Sequence, residues 1–393
     1  MKSYVNNERL VVALQGRVDS TNYREIEDQI RQAMAAQPGL PLTLDAEGLD
    51  YISSSGLRVL MRLAKELGGD LSVTNVSAEV SDVFHITGMD TVLNVEKRMR
   101  RVDIAGCPVL GQGAFGTVYR LDGDTIVKVY RGGEAALPII RQETARARQA
   151  FVSGVPTAIP FDIVRVGDEY GSVFEMIDAQ NCNDIVLANP AALDDLLPRY
   201  AGFLKRLHSL EAAPGQLPET RDVWLENLAK FAPCLDPATH KQLAELLEAM
   251  PRDLHLVHGD IQMKNVMLSS GEFTLIDMDK LSTGNPAFEF GPLYATYVAF
   301  NEDNPDNARQ FLGIDRETAE KTFYGTLRAY LGGMDEAAYA AAEQKARVLG
   351  YLRFLTILAV EMADVHTPLK ELQVRHAAEH LKALAFQVED LAF

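Results

Sequence analysis

The amino-acid sequence predicts an α/β unit followed by a larger α+β unit, which begins as a β-sheet and continues as a mostly helical part. Strand and helix patterns alternate through the first hundred residues. β-Hairpin patterns follow between residues 107 and 177, and helical periodicity dominates from about residue 193 onward. These changes of pattern predict three segments, residues 1–102, 103–180 and 181–393.

In the first segment, β-branched runs alternate with amphipathic runs. RLVVALQGRV predicts a strand, and Asp19 and Ser20 are predicted to cap the helix that follows. PLTLDAEGL predicts a short buried strand, and SSSGLRVLMRLAKEL predicts a helix with Leu57, Leu60 and Leu63 on one side. DLSVTNV and AEVSDVFHITGM continue the alternation, so a small sheet with helices packed against it is expected.

The two later segments follow a basic run, KRMRR, which is predicted to be a solvated linker or helix end. CPVLGQGAFGTVYRLDGDTIVKVYRG predicts three strands, joined by a Gly-rich turn and by a turn at Asp122 and Gly123. RQETARARQAFVSG predicts a helix, and FDIVRVGDEYGSVFEMI predicts a further hairpin. The helical remainder contains two short strand patterns, in LHLVHGD and FTLIDMD.

Composition and charge exclude several classes of protein. The 393 residues are 47% hydrophobic and 24% charged, which is typical of folded globular domains. The formal net charge of −17 argues against binding to a nucleic-acid backbone. Cys107, Cys182 and Cys234 are far apart, which argues against a disulfide framework or a zinc site. No uncharged apolar run approaches the roughly 20 residues of a membrane span, and no apolar leader is recognised. A cytoplasmic location without a membrane partner is therefore expected.

Three serines and a glycine begin the second predicted helix, in LDYISSSGLRVL. A helix N-terminus offers unpaired amide donors and the positive end of the helix dipole, so it accommodates a phosphate. Phosphorylation of a serine there would add about 1.5 to 2 negative charges, which is enough to switch the binding of a partner. The same residues could instead serve only as an N-cap, and the residues alone favour that interpretation.

Residues 1–102 resemble the STAS domain of anti-sigma-factor antagonists. The matching runs are GRVDSTNYREIEDQI, LTLDAEGLDYISSSGLRVL and VSAEVSDVFHITGMDTVLNV. In that family the serine two residues before the glycine is the phosphoacceptor, which corresponds to Ser54 here. The best-known antagonists carry an Asp directly before it, whereas this chain has Ser53. The resemblance implies a regulatory domain that binds a protein such as an anti-sigma factor.

A phosphate-binding pattern follows the linker. The motif G-x-G-x-x-G-x-V occurs in LGQGAFGTVY and is formed by Gly111, Gly113, Gly116 and Val118. Glycines allow the backbone of such a turn to approach phosphates closely, although Gly-rich hairpins are also common without this function. Lys128 lies on the next strand, in TIVKVY, where it could pair with nucleotide phosphates. Glu143, on the following helix, is a candidate to orient Lys128 by an ion pair, and Glu134 is the alternative.

A polar loop and a strand end provide the remaining candidates. In HGDIQMKN, Asp260 could accept or orient the proton of a substrate hydroxyl, while Asn265 could ligate magnesium. Asp277, after the apolar strand of FTLIDMD, is a candidate to hold magnesium that bridges the phosphates of ATP. His258 is expected to brace the loop, and Asp279 is either a second acid near the metal or a solvated carboxylate. Each element alone has an ordinary structural explanation, but their joint order indicates phosphoryl transfer.

Residues 103–393 resemble the protein-kinase-like superfamily, and within it the aminoglycoside phosphotransferase and choline kinase branch. HGD replaces the HRD of protein kinases, and Gln262 stands where those enzymes usually have a lysine. GNPAFEFG is similar to the D-P-A-x-D element of the branch, with Glu289 at the acidic position. The resemblance implies a bilobal protein-kinase-like fold with ATP and Mg²⁺ as cofactors. It also implies that the main chains of Glu175 and Ile177, in VFEMI, meet the adenine.

The combined prediction is an ATP-dependent phosphotransferase that moves the γ-phosphate to an alcohol group of a small molecule. Its STAS domain would regulate the enzyme or bind a protein partner. One alternative is a protein kinase that acts on Ser54, in cis or in trans. The other is a non-catalytic, nucleotide-sensing scaffold that binds an anti-sigma factor. The acidity of the helical part could favour a cationic acceptor, or the acidic residues could simply solvate the helices.

Overall fold

The computed structural model describes residues 1–6, 8–68, 70–113 and 116–393. The chain divides into two compact units, Met1–Val102 and Asp103–Phe393. Residues 114 and 115, between the second and third glycines of the Gly-rich motif, lie outside the described part of the chain.

Met1–Val102 is an α/β unit built on a sheet. Its strands are β1 (Ser3–Asn6), β2 (Arg9–Val18), β3 (Leu42–Ile52), β4 (Leu71–Val76), β5 (Asn94–Lys97) and β6 (Arg100–Arg101), and its helices are α1 (Tyr23–Ala36), α2 (Ser54–Leu67) and α3 (Ala78–Ile86). β1 to β5 lie side by side in chain order. β1 pairs antiparallel with β2, and the other neighbours pair parallel. Parallel neighbours need crossover connections, which α1, α2 and α3 provide. Val12, Leu44, Ile30 and Leu63 are fully buried where strands and helices meet.

Two predictions for this unit differ from the structure near the second and third strands. The strand predicted as short, β3, has 11 residues. Helix α1 begins at Tyr23, so Asp19 and Ser20 do not cap it. The Asn22 side chain accepts the N–H of Asp19 at 2.9 Å and donates to the carbonyl of Arg17 at 2.7 Å. These bonds form a turn that delays the start of the helix by several residues.

The basic side chains of the run KRMRR are exposed, as predicted, and the run lies just before the division between the two units, but it is not a helix end. Lys97 ends β5, and the main-chain N–H of Arg98 donates to the carbonyl of Val76 on β4 at 2.8 Å. Arg100 and Arg101 form β6. Backbone pairing along β4 therefore outweighs the charge of the side chains in setting the local structure.

The first part of Asp103–Phe393 is an antiparallel sheet with one long helix. The strands are β7 (Val109–Gln112), β8 (Gly116–Arg120), β9 (Thr125–Tyr130), β10 (Pro160–Val166) and β11 (Glu169–Glu175), and the helix is α4 (Leu137–Val152). Along the sheet the order is β10-β11-β9-β8-β7. Gly116 is required where β8 meets β9, because a Cβ there would clash with the carbonyl oxygen of Val129. Helix α4 packs against β10 and β11.

The remainder of this unit is mostly helical, with short strands that frame a loop. The strands are β12 (Gln180–Asn181), β13 (Leu256–Val257), β14 (Val266–Ser269), β15 (Glu272–Leu275) and β16 (Ser282–Thr283). The helices are α5 (Cys182–Ala188), α6 (Ala192–Leu207), α7 (Thr220–Lys230), α8 (Pro237–Ala249), α9 (Phe290–Tyr294), α10 (Phe300–Glu302), α11 (Asn307–Leu312), α12 (Arg316–Tyr330), α13 (Glu336–Leu355) and α14 (Pro368–Leu384). Two π-helical turns, Ala295–Ala299 and Thr356–Glu361, continue α9 and α13. The predicted fold class, α/β followed by α+β, is confirmed.

Within the described residues, none of the helices combines the length and the apolar character that a bilayer crossing requires.

Candidate active site

The loop between β13 and β14 is held by a buried acid that is distant in sequence. The side chain of Glu289 is fully buried, and its carboxylate accepts the main-chain N–H of His258 at 2.7 Å and of Gly259 at 2.9 Å. Gly259 has φ +79°, and a Cβ there would lie 3.0 Å from both the Cβ and the carbonyl oxygen of Lys280. Glycine is therefore needed for the loop to turn at this point.

His258 links the loop to the end of β15. It is fully buried, and its Nε2 lies 3.2 Å from the carbonyl oxygen of Ile276. Its Nδ1 lies 3.3 Å from the main-chain nitrogen of Asp260. Nε2 therefore donates and Nδ1 accepts, so both ring nitrogens are engaged in holding the loop.

Asp260 and Asn265 contact each other within this loop. The Asn265 side-chain nitrogen donates to the carbonyl oxygen of Asp260 at 2.8 Å and to its carboxylate at 3.2 Å. Burial raises the pKa of Asp260 to about 6, against the opposing charge of Arg353. Because the amide nitrogen of Asn265 faces Asp260, its Oδ1 is the atom that remains to accept a donor or to ligate a cation.

Lys128 lies between two carboxylates that come from different parts of the chain. Its Nζ is 2.7 Å from Glu143 on α4 and 3.1 Å from Asp277, which follows β15. Burial opposes the charged form of Lys128, but the two carboxylates outweigh it and raise the lysine pKa. Burial also opposes the charged form of Glu143, and because Glu143 is an acid this raises its pKa. Glu134, the alternative partner, lies in the short helical turn Gly133–Ala136 before α4.

Asp277 has an unusual backbone conformation that turns its side chain out of the strand direction. Its φ is +65°, in the left-handed region that non-glycine residues seldom adopt. The preceding residue, Ile276, donates its N–H to the carbonyl of Asn265 at 3.0 Å. This bond joins the end of β15 to the loop, so Asp277 and Asn265 are held by one backbone connection.

A cavity of about 460 Å³ brings together most of the residues that the sequence singled out. From that set its lining comprises Gly111, Gly113, Gly116, Val118, Lys128, Glu143, Asn265 and Asp277. Asp260 lies beside this cavity through its contact with Asn265 and is not part of the described lining. The cavity thus combines glycine backbone, two lysines (Lys128 and Lys264) and several oxygen ligands.

Apolar side chains that sequence reasoning did not identify form the rest of the cavity. They include Ile126, Phe174, Met278 and Phe311. Ile126 lies two residues before Lys128 on β9, so the alternation of a strand places both on one face and could have revealed it. Phe311 comes from α11, and no sequence pattern connects it with this site. Together these side chains could cover a flat heterocycle.

Glu175 and Ile177 follow directly after one of these lining residues. Phe174 lines the cavity, and Glu175 is the last residue of β11. The N–H of Glu175 donates to the carbonyl of Ile159 at 2.9 Å. The described lining includes neither Glu175 nor Ile177, so the structure brings their segment to the cavity edge without placing their side chains in it.

Ser54 lies at the start of α2 in the other compact unit. The N-cap is Ser53, whose hydroxyl oxygen accepts the N–H groups of Ser55 at 3.2 Å and Gly56 at 3.5 Å. Ser54 is exposed at the first position of the helix. Gly56 is buried, and a Cβ there would meet the side chains of Ile52 and Val18 at 2.7 and 2.8 Å. The capping and the accessible hydroxyl therefore belong to different serines.

The oxygen atoms of Asn265 and Asp277 fit a magnesium ion that is held mainly by phosphates. Among the described residues, no group of three or more His, Cys, Asp or Glu side chains could enclose a metal ion by itself. Mg²⁺ usually keeps several waters and takes one or two carboxylates together with substrate phosphates. Asp277 is partly exposed, with one carboxylate oxygen bonded to Lys128, and Asn265 has its amide oxygen available in the same cavity. The donor set is thus suited to Mg²⁺ bound with a nucleotide.

Two family models match the chain. Residues 107–338 match the model described as the phosphotransferase enzyme family. Residues 5–96 match the model described as a Mlab, STAS domain. A putative anti-sigma factor antagonist, BtrV of Bordetella bronchiseptica, is 36% identical over 89 residues, which cover 22% of this chain and 76% of that protein.

Solved structures with similarity to the larger unit include two enzymes with low sequence identity. A choline/ethanolamine kinase family protein from Mesorhizobium loti has 17% identity and a TM-score of 0.46, and the match covers 70% of this chain and 87% of that one. The aminoglycoside phosphotransferase APH(3″)-Id from Streptomyces rimosus has 16% identity and a TM-score of 0.42, with coverage of 72% and 99%.

Proposed function

The chain belongs to the phosphotransferase enzyme family and carries an N-terminal STAS domain, and we propose that it transfers the γ-phosphate of ATP to a hydroxyl group of a small molecule. The observation that carries the proposal is the position of Lys128. It contacts Glu143 at 2.7 Å and Asp277 at 3.1 Å inside a cavity that the Gly-rich motif also lines. A lysine held in this way presents a fixed positive charge to phosphates.

The glycine backbone and Lys128 would bind the phosphates of the nucleotide, and the apolar side chains of the cavity would bind its base. The backbone at Gly111, Gly113 and Gly116 would approach the phosphates, together with Lys128. The apolar side chains, Phe174 among them, would contact the adenine. The main chains of Glu175 and Ile177 are proposed to bind the polar edge of the adenine ring, as the carbonyl and N–H groups of a connecting segment can do.

Asn265 and Asp277 would hold Mg²⁺ against the phosphates. The ion would supply charge neutralisation at the β- and γ-phosphates. The contribution of the chain is to fix the two oxygen ligands. Asn265 is oriented by Asp260, at 2.8 Å from its carbonyl oxygen, and Asp277 is oriented by Lys128. Both ligands therefore have a hydrogen-bonded partner that sets their direction.

Asp260 would act on the acceptor. Its carboxylate aligns the acceptor hydroxyl and takes the proton as the hydroxyl oxygen forms a bond to the γ-phosphorus. The bond between that phosphorus and the bridging oxygen breaks, and ADP leaves with the electron pair. With a pKa of about 6, Asp260 is mostly ionised at pH 7, and its pKa is close enough to 7 for the carboxylate to accept a proton readily. Positioning and electrostatics, rather than a covalent intermediate, carry this reaction.

The STAS domain is proposed to bind a protein partner and to be regulated at Ser54. The exposed position of Ser54 at a helix N-terminus supports a role as phosphoacceptor. The same exposure supports the alternative that the phosphotransferase unit acts on Ser54 itself. In either case a phosphate on Ser54 would add negative charge at a position where the side chain is otherwise neutral.

A γ-phosphate transfer screen tests the proposed function. The full chain is incubated with Mg²⁺ and labelled ATP in the presence of sugars, aminoglycosides, choline-like amines and hydroxy acids, and products are analysed by mass spectrometry. Label on a small molecule supports the proposal. Label on Ser54 alone favours the protein-kinase alternative, and tight ATP binding without any transfer favours the scaffold. Absence of nucleotide binding contradicts the proposal altogether.

A further inference from the structure

A second, smaller cavity of about 110 Å³ lies next to the loop between β13 and β14. Gly259, the residue before Asp260, lines it. The lining also includes Trp224 from α7 and Arg353 from the end of α13. Trp224 packs against Phe288 with ring centroids 5.0 Å apart. Through Gly259 the cavity lies one residue along the chain from Asp260, the residue proposed to align the acceptor, and Trp224 and Phe288 give it an aromatic side.

The charged side chains that line this cavity are mostly cationic. Arg146, Lys280 and Arg353 are in its lining, against one carboxylate, that of Glu361. Both terminal guanidinium nitrogens of Arg353 donate to Glu361, at 2.8 and 3.3 Å, and Lys280 donates to it at 3.2 Å. Among the lining side chains, three cations therefore accompany one carboxylate. Two further carboxylates lie outside the described lining: Asp279, 4.0 Å from Lys280, and Asp260, whose charged form Arg353 favours.

Arg146 adds a third cation from a different part of the fold. It lies on α4, one turn after Glu143, and its guanidinium donates to the carbonyl oxygen of Asp279. That single bond engages one of the five N–H groups that an arginine carries. Burial lowers the pKa of Arg146, which reflects its position away from bulk water. A partly desolvated arginine beside a cavity is well suited to bind an anion.

The helix geometry at this cavity is irregular. Thr356 and Glu361 both belong to the π-helical turn that follows α13, and both line the cavity. π-Helical turns within α-helices occur frequently at functional sites, because the extra residue redirects side chains. Here the irregular turn carries the carboxylate that holds Arg353 and Lys280 in place.

We propose that the phosphoryl acceptor carries an anionic group, which binds to Lys280, Arg353 and Arg146 in this cavity while its hydroxyl meets Asp260. This inference rests on the proposed function and specifies the acceptor class for the same site. A carboxylate or a phosphate would provide the required charge within so small a volume. The acidity of the helical part, which could favour a cationic acceptor, therefore does not describe the side chains that line this cavity.

The test uses acceptors that share one skeleton and differ in charge: glycerate, glycerol phosphate, glycerol and 3-aminopropane-1,2-diol. Release of ADP by the full chain is measured with Mg²⁺ and ATP, and nucleotide binding is measured separately. We expect kcat/KM for at least one anionic acceptor to exceed that for glycerol and the amine by about tenfold or more. The preferred anion also distinguishes a carboxylate from a phosphate.

Lys280→Gln provides a second measurement. It should raise KM for the anionic acceptor, leave KM for ATP unchanged and be rescued by Lys280→Arg. Lys241→Gln is the matched control, because Lys241 is a strongly exposed lysine on α8. The inference is overturned if glycerol or the amine is used as well as the anionic acceptors or better, or if neither anion is used. In that case, ATP binding by the same chain leaves the proposed function standing. Failure to bind ATP overturns both.

Discussion

Glu289 and His258 are 31 residues apart in sequence, and the buried carboxylate of Glu289 accepts the main-chain N–H of His258 at 2.7 Å. The same carboxylate accepts the next N–H in the loop, that of Gly259, at 2.9 Å. His208 adds a third contact, with its Nε2 at 3.4 Å from Glu289. The acid therefore satisfies donors of the loop between β13 and β14 that would otherwise be buried without partners. The position of Asp260, one residue further, depends on this arrangement.

Glu289→Gln should destabilise the larger unit by about 1–3 kcal/mol, because one amide oxygen cannot replace both carboxylate oxygens as acceptors. One backbone N–H of the loop would face the new NH₂ group instead. Denaturant unfolding at pH 7 measures the effect, and Glu248→Gln, at an exposed position on α8, is the control. A variant as stable as the unmodified chain would contradict the assigned role of Glu289.

The stability difference between Glu289→Gln and the unmodified chain should depend on pH. Burial alone would raise the pKa of Glu289, but hydrogen bonds from the His208 side chain and the His258 main chain outweigh it and lower the pKa below 4.5. A lowered folded-state pKa stabilises the fold fully above about pH 4.5, and this contribution is lost as pH falls through the folded-state value. Unfolding curves between pH 7 and pH 3 should therefore converge at the acidic end. A gap that widens on acidification would oppose the sign of this shift.

Lys128→Ala should weaken ATP binding by about 10- to 100-fold, which corresponds to the loss of a charged hydrogen bond of roughly 1.5–3 kcal/mol. It would also leave the buried Glu143 without its nearest cation. Isothermal titration with Mg-ATP measures the affinity, and Lys241→Ala serves as the matched control. ATP binding that is unaffected in Lys128→Ala would place the phosphates elsewhere.

Much of the cavity of about 460 Å³ could be predicted from the sequence because its residues occur in motifs with fixed spacing. The Gly-rich turn, Lys128 and Asp277 are such residues, and they line one cavity. The cationic cavity could not be predicted, since Arg146 and Arg353 lie 207 positions apart and share no pattern. The π-helical turn at Thr356–Glu361 was also missed, because its residues have ordinary helical character. Local spacing predicts a site well, whereas a site assembled by distant packing requires the structure.

Asp260→Asn and Asp277→Asn should separate acceptor chemistry from nucleotide binding. Asp260 lies outside the described lining of the nucleotide cavity, so Asp260→Asn should bind Mg-ATP normally while kcat falls by about 10²- to 10⁴-fold. Asp277→Asn should lose much of the Mg²⁺-dependent part of ATP affinity, because a carboxylate ligand becomes a neutral amide. Titrations with and without Mg²⁺ distinguish the two variants. Identical defects in binding and turnover would show that the two acids do not have separate roles.

Ser53→Ala and Ser54→Ala should differ although the serines are adjacent. Ser53 caps α2 by accepting the N–H groups of Ser55 and Gly56, so its loss should cost about 1 kcal/mol of stability. Ser54 is exposed and takes no part in that cap, so Ser54→Ala should change stability by less than about 0.5 kcal/mol. Thermal unfolding of both variants measures this contrast. If it holds, Ser54→Ala removes the proposed phosphoacceptor without disturbing the helix, and any effect on partner binding can be assigned to the missing hydroxyl. Equal destabilisation by both changes would mean that Ser54 also has a structural role.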